Sequence, residues 1–394
     1  MIWRNIASTF LTLAVLLLVV IAGAIAWAKR AYVAPGPSAV ASCVQVAPGA
    51  SLRAVSETLA DQGVVSNAYI FRAGTDYAGK AKSLKFGSYL VPAGTSMEKI
   101  ADVITAGGPS TCGTEIQLLV GVRGNSIIWR DIDPATGVYG EVMKYDPAVA
   151  SAPAEITTAE QKPDARLRVT VAEGATSWQI LEGLKAVSFM TGNVSKVPAE
   201  GSLAPDSYDV KRDADRQGLL TEMANKQAVI LQDAWDKRAS DLPYKNAEEA
   251  LVMASIVEKE TGVAAERPIV ASVFVNRLNQ GMRLETDPTV IYGVTKGKGV
   301  LDRGLRRSEL RTRTPYNTYV IEGLPPTPIA NPGKAAIEAA LHPDDTQYVF
   351  FVADGSGGHA FASTLEDHNA NVAKWRAIEA QRGQPTDSPV QSAN

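Results

Sequence analysis

The stretch that decides how this chain is read is Ala247-Glu248-Glu249-Ala250-Leu251-Val252-Met253-Ala254-Ser255-Ile256-Val257-Glu258-Lys259-Glu260-Thr261-Gly262. Asn246 before it is an N-cap residue with an acid three positions on, a capping-box variant that opens a helix, and Gly262 closes it. On a wheel of about 100° per residue, Glu248, Ser255 and Lys259 share the only polar sector, which reads as the solvated face. Glu258 and Glu260 fall outside that sector, among Leu251, Met253, Ala254 and Ile256. They also point about 160° apart, so they cannot act as a pair. A carboxyl group among apolar side chains holds its proton to higher pH, and a protonated glutamate can act as a general acid. Buried ion-pair partnership is the competing explanation for either residue. Arg267, Arg277, Arg283 and the arginines between 303 and 313 are available for it.

The chain around this helix has 394 residues, 45% hydrophobic and 21% charged, with a formal net charge of −3. That composition suits a folded protein of two or three domains and gives no basic footprint for nucleic acid. Ile6 to Ala28 is an uncharged, mostly apolar run closed by Lys29-Arg30. At about 23 residues it can cross a hydrocarbon core of roughly 30 Å, and it exceeds the usual secretory h-region. We expect an uncleaved anchor over 1–30. A cleaved signal peptide, with small residues at Ala24, Ala26 and Ala28, is the alternative. A linker over 31–41 should follow. Cys43 and Cys112 are too few for a thiolate metal site, and we expect a disulfide between them, two buried thiols being the alternative.

A degenerate repeat lies between linker and core. Val44-Gln45-Val46-Ala47-Pro48-Gly49-Ala50 answers Val169-Thr170-Val171-Ala172-Glu173-Gly174-Ala175, and Gly87-Ser88-Tyr89-x-Val91 answers Asp206-Ser207-Tyr208-x-Val210. Each half reads as a strand–helix–helix–strand unit, similar to LysM-type glycan-binding modules or, more plainly, an α+β spacer. The halves are placed at 42–113 and 166–245, the second with its connecting helices. Between them, 114–165 reads as an inserted β-rich segment, with a surface loop from Asp146 to Lys162. The polar tail at 382–394 should be disordered. His342, His359 and His368 lack metal-ligand spacing, and no cofactor or metal is expected.

Motifs downstream of the helix follow in order: Val270-Ala271-Ser272-Val273-Phe274-Val275-Asn276-Arg277, Leu284-Glu285-Thr286-Asp287-Pro288, Pro315-Tyr316-Asn317-Thr318-Tyr319, Gly323-Leu324-Pro325-Pro326, Asn331-Pro332-Gly333, and Gly358-His359-x-Phe361. This series resembles the YceG-like family of endolytic murein transglycosylases over residues 246–375. The resemblance implies an α+β protein with a transmembrane helix, LysM-like subdomains and a C-terminal α+β catalytic domain at 246–381. It implies cleavage of the MurNAc–GlcNAc β-1,4 bonds of nascent peptidoglycan strands by one acid that closes a 1,6-anhydro ring. It also implies a place in the inner membrane, with the catalytic part on the periplasmic side near peptidoglycan synthases. Glu followed by Thr near a helix end fits the family's acid, which favours Glu260 over Glu258. Thr286, Tyr316 and Asn317 would line the sugar groove, unless they only shape loops. The chain departs from the family at Glu285, where glutamine is common, and at Ala204, where an aromatic is usual. A catalytically idle glycan-binding scaffold and a hydrolytic muramidase are the rival readings.

Overall fold

A computed structural model of the chain describes residues 2–108 and 110–382. The expected disordered tail therefore lies outside the described residues, apart from Arg382 at the end of the last helix. The chain divides into two units. The first comprises Met1–Gln117, Ile128–Lys144 and Ala152–Leu167, and the second Leu118–Ile127, Tyr145–Ser151 and Arg168–Asn394.

The first unit opens with α1 (Ile2–Val33), whose segment Phe10–Val33 is long and apolar enough to cross a membrane. The helix runs past the expected linker boundary through Val33 and is not followed by a free tether. The Gly36 N–H donates to Gly94 O at 3.1 Å, and the Gly94 N–H to Ser38 O at 2.9 Å. Strand β1 (Ser42–Val46), helices α2 (Leu52–Asp61) and α3 (Ala68–Tyr77), strand β2 (Gly87–Val91) and helix α4 (Met97–Ala106) follow. β1 and β2 pair antiparallel, with Val44 opposite Tyr89. Ser51, Asn67 and Ser96 cap the three helices through their side-chain oxygens. The alternation of β1 puts Val44 and Val46 inward, where they meet Leu59, Phe71, Ile100 and Ile104. Cys43 and Cys112 are joined, their Cα atoms 5.7 Å apart, as the sequence led us to expect.

Strands β3 (Thr114–Val120), β4 (Asn125–Asp133), β5 (Val138–Tyr145), β6 (Arg166–Val171) and β8 (Ser207–Val210) form a five-stranded sheet of order β5-β4-β3-β6-β8. The loop expected over 146–162 is corrected in its second half. Helix α5 (Ala154–Glu160) stands there, because Ile156 and Ala159, three apart, both find a buried place. The second repeat also departs from strand–helix–helix–strand. Only α6 (Ser177–Ala186) lies between β6 and β8, and the chain from Val187 to Asp206 is irregular apart from the short strand β7 (Met190–Thr191). Gly192, Pro198, Gly201 and Pro205 interrupt any helix there, and Gly192 and Gly201 have φ of 80° and 82°.

Short strand β9 (Ala214–Asp215), parallel to β7, leads into α7 (Arg216–Asp236). Then come α8 (Ala247–Glu260), α9 (Arg267–Asn279), α10 (Asp287–Thr295), α11 (Arg307–Arg311), α12 (Lys334–Leu341), the hairpin β10 (Phe350–Ala353) and β11 (His359–Ala362), and α13 (Leu365–Arg382). The core of the second unit is built around α8. Met253, Ala254, Ile256 and Val257 meet Val270 and Phe274 of α9 and Ile337 and Ala340 of α12. Glu248 and Lys259 are exposed, but Ser255 between them is fully buried, so the polar sector of α8 is solvated only towards its two ends. The Ser255 hydroxyl donates to Val252 O and accepts from the Ile329 N–H at 3.0 Å, which makes burial tolerable. The division by contacts does not fall at Asn246. The buried Asn331 amide binds Leu203, Ala175, Ser177 and Glu200, and so ties the segment before α7 to the chain after α11.

Candidate active site

Asn246 starts α8 by accepting the Glu249 N–H at 2.9 Å, and the helix then buries every residue from Ala250 to Val257. Its last turn emerges from that core carrying both glutamates. On one side, Glu258 accepts the Gly333 N–H at 2.9 Å and lies 4.0 Å from Arg267, which also stands 3.7 Å from Glu173. That carboxylate occupies the ion-pair position raised as the competing explanation. Burial raises its pKa, and the Gly333 hydrogen bond opposes the shift.

Glu260 has different surroundings. Its Oε1 accepts the hydroxyl hydrogen of Thr286. Burial pushes its carboxyl up from 4.5 to about 7, the Thr286 hydrogen bond opposes the rise, and nearby Asp287 adds to it. The nearby His359 ring and the charge of Arg277 act the other way. A carboxyl in this range can hold a proton near neutral pH and release it, which general acid–base work requires.

The shell around Glu260 comes from four elements. Glu285, just before α10, adopts φ of 47° and turns the chain so that Thr286 is buried against α8. The Thr286 N–H donates to Thr318 Oγ1 at 3.0 Å, and the Thr289 and Thr318 hydroxyls meet at 2.8 Å, fixing the Thr286 rotamer from behind. Arg277 of α9 is 1% exposed, and its guanidinium donates to Val349 O at 2.6 Å and Leu284 O at 2.8 Å. Its Nη1 is 3.8 Å from Glu285 Oε2, so the acid at the position where the family commonly has glutamine faces this arginine. Asp287 accepts the Tyr319 hydroxyl at 2.7 Å, and burial raises its pKa. From the hairpin, His359 Nδ1 lies 2.7 Å from Glu266 Oε2, and the Thr261 hydroxyl after Glu260 donates to the same oxygen at 3.3 Å.

Of the residues singled out in the sequence, Glu260 and Thr286 are brought into contact. Tyr316 is half-buried against α10, its hydroxyl 2.8 Å from Thr327 Oγ1 and its ring 5.0 Å from that of Tyr292. Asn317 is fully buried. Its amide donates to the carbonyls of Glu309, Leu310 and Thr312, and its Oδ1 accepts the Tyr319 N–H at 3.0 Å. That is the loop-shaping, Asx-turn arrangement. Sequence reasoning named Arg277 only among several arginines available to either glutamate, and did not reach Asp287, Tyr319 or the His359–Glu266 pair as neighbours of the acid. The Thr-Asp-Pro helix start and the single arginine inside the apolar α9 pattern were the available signals. A cleft of about 460 Å³ opens beside the same helix end, lined by Lys259, Thr176, Pro288, Ile291 and Tyr292. Among the described residues no three His, Cys, Asp or Glu side chains are grouped to hold a metal ion.

A carboxyl pushed up to about 7 by burial, hydrogen-bonded by one hydroxyl and near the charge of an arginine, closes a core helix on an α+β scaffold. Residues 142–374 match the sequence model of the YceG-like family, and the chain belongs to that family. It is similar to the "Endolytic murein transglycosylase" of Bacillus subtilis (strain 168), 38% identical over 181 residues that make up 46% of this chain and 49% of that protein. It is also similar to the protein so named in Streptococcus pneumoniae serotype 2 (strain D39 / NCTC 7466), 26% identical over 339 residues, 84% of this chain and 58% of that one. The chain thus spans about half the length of the curated relatives it matches. A crystal structure of the yceG-like protein lmo1499 from Listeria monocytogenes aligns with 26% identity and a TM-score of 0.46, covering 84% of this chain and 98% of that one.

Proposed function

We propose that this protein is a peptidoglycan lytic transglycosylase with Glu260 as its single acid, held to the cytoplasmic membrane by α1 with the second unit outside. The observation that carries the reading is the placement of Glu260, whose carboxyl burial pushes up to about 7 beside one hydroxyl donor. In the proposed reaction the Glu260 proton passes to the bridging oxygen of a MurNAc–GlcNAc β-1,4 bond as the bond from C1 to that oxygen breaks. The carboxylate left behind then takes the proton of the MurNAc C6 hydroxyl, and O6 closes onto C1 to give the 1,6-anhydro end. Glu260 is thereby reprotonated, and no water enters the product. Arg277 favours the carboxylate between the two proton transfers by its charge. Thr286 favours it by its hydrogen bond. Asp287 shares its neighbourhood but is tied to Tyr319, which fits one acid serving both steps.

The relatives' printed names support the substrate, and the cleft beside Lys259 and Tyr292 is where we place part of the glycan. Tyr316 lies against Tyr292 and would steady that wall. We read β1-α2-α3-β2 as a LysM-like subdomain that holds the strand, and peptidoglycan synthases as the partners that supply it. The test is mass spectrometry of products released from purified peptidoglycan by the full chain in detergent. Fragments one water lighter than hydrolysed ends, absent with Glu260→Gln, are expected. Hydrated reducing ends would overturn the transglycosylase in favour of a muramidase. No cleavage by the wild-type chain would favour an idle scaffold.

A further inference from the structure

The end of α1 is built into the first unit. The Tyr32 ring lies so close to Gly74 of α3 that a Cβ at position 74 would overlap it, and one on Gly36 would overlap the Thr95 carbonyl. The helix therefore docks on α3 and on the start of α4 instead of leading into a mobile tether.

This docking sets a height. The apolar run ends at Ala28, and Lys29-Arg30 follow. Tyr32 is four residues beyond Ala28, about 6 Å further along a helix axis. The headgroup layer on one side of a bilayer is about 5–7 Å thick. If α1 spans, the contact between Tyr32 and Gly74 lies within that layer. Tyr77 is three residues on from Gly74, on the same side of α3 and within about 5 Å of it along that axis. It is 95% exposed, and Asp76, Ala78 and Gly79 around it are exposed as well. The following turn carries Lys80, which pairs with Asp102, and then the exposed Lys82 and Lys85. A bare tyrosine with lysines beside it, within about 5 Å of a contact at headgroup height, has the chemistry of a membrane-interface belt. A lone exposed tyrosine would be unremarkable on a surface away from that level.

We propose that the last turn of α3 and the segment Gly79–Lys85 rest on an anionic lipid surface, with Tyr77 inserted among the headgroups and Lys82 and Lys85 facing lipid phosphates. The first unit would then be held to the bilayer by a second contact besides the span. The proposal rests on α1 being a membrane span.

The test uses the full chain in vesicles of phosphatidylcholine and phosphatidylglycerol. A photoreactive phenylalanine analogue is placed in turn at Tyr77, at Trp27 within the apolar run, and at Val138, which is 63% exposed on β5. Lipid adducts at 27, and at 77 several-fold above those at 138, are expected. Adducts at 27 with no more at 77 than at 138 would overturn the interfacial contact and leave the span standing. No adducts at 27 would overturn the span and the proposal with it.

Discussion

Glu258 and Glu260 are two residues apart on one helix, and the sequence alone places both away from its polar sector. What separates them is who meets them, and those partners come from the Gly333 turn, α9, the start of α10 and the hairpin. Contacts between segments so distant leave no local pattern, which is why the helix wheel did not separate the glutamates, only the Glu260-Thr261 pattern favoured one, Arg277 was one of several candidate partners, and Asp287 was not legible at all. On the proposed mechanism, Glu260→Gln should lower turnover by about 10²–10⁴-fold with the fold intact by circular dichroism. Activity should fall as pH rises through about 7, because the donor is then ionised. Thr286→Val should move that limb to higher pH, since the hydroxyl bond now favours the carboxylate. Stability carries the same sign. The carboxyl's folded pKa lies above 4.5, so its contribution is complete below about pH 4.5 and is lost as pH rises through about 7. The loss amounts to roughly 3 kcal/mol at the alkaline end. Urea melts of Glu260→Gln should therefore show a gain over wild type at pH 8 that vanishes at pH 4.

Among the elements, those with strong period or cap signals were readable. The Asn246 cap, the β1 alternation and the helices at 51–62 and 176–186 all stand within a residue or two of where the pattern puts them. The misread ones were decided by packing. α5 is short and uncapped by any side chain, and it exists because Ile156 and Ala159 are buried. Ser255 sits in a polar sector yet is covered by the Ile329 segment, a partner no wheel can display. The loop after α11 depends on Asn317, whose amide serves three carbonyls. Asn317→Ala should cost at least about 2 kcal/mol by leaving buried acceptors unpaired. Thermal melts and activity should fall together. Lost activity at unchanged stability would make Asn317 a substrate residue instead. Replacing Cys43 and Cys112 by serine should cost about 4 kcal/mol in the chain-entropy account, checked by denaturation under oxidising conditions.

For the molecule as a whole, an apolar run, a repeat and a motif-dense end are compositional facts that the sequence displays directly. The gathering of chain into units is not displayed there. Asn331 and Glu200 tie segments more than a hundred residues apart, so the second unit gathers chain from both sides of the apparent start at Asn246. Removing residues 1–30 should leave cleavage of soluble glycan at wild-type rate and reduce cutting of strands made at a membrane. A soluble mature protein beginning near residue 27 or 29 would show instead that the leader is cleaved.

The bond between Cys43 and Cys112 also closes β1, α2, α3, β2 and α4 into a covalent ring. A single protease cut anywhere from residue 44 to 111 opens that ring without releasing a fragment. Helix α1 and everything after Cys112 stay on one molecule until a second cut or a reductant arrives. In a compartment that holds proteases but no thiol reductant, such damage would pass unnoticed on a non-reducing gel and appear as two bands only after reduction.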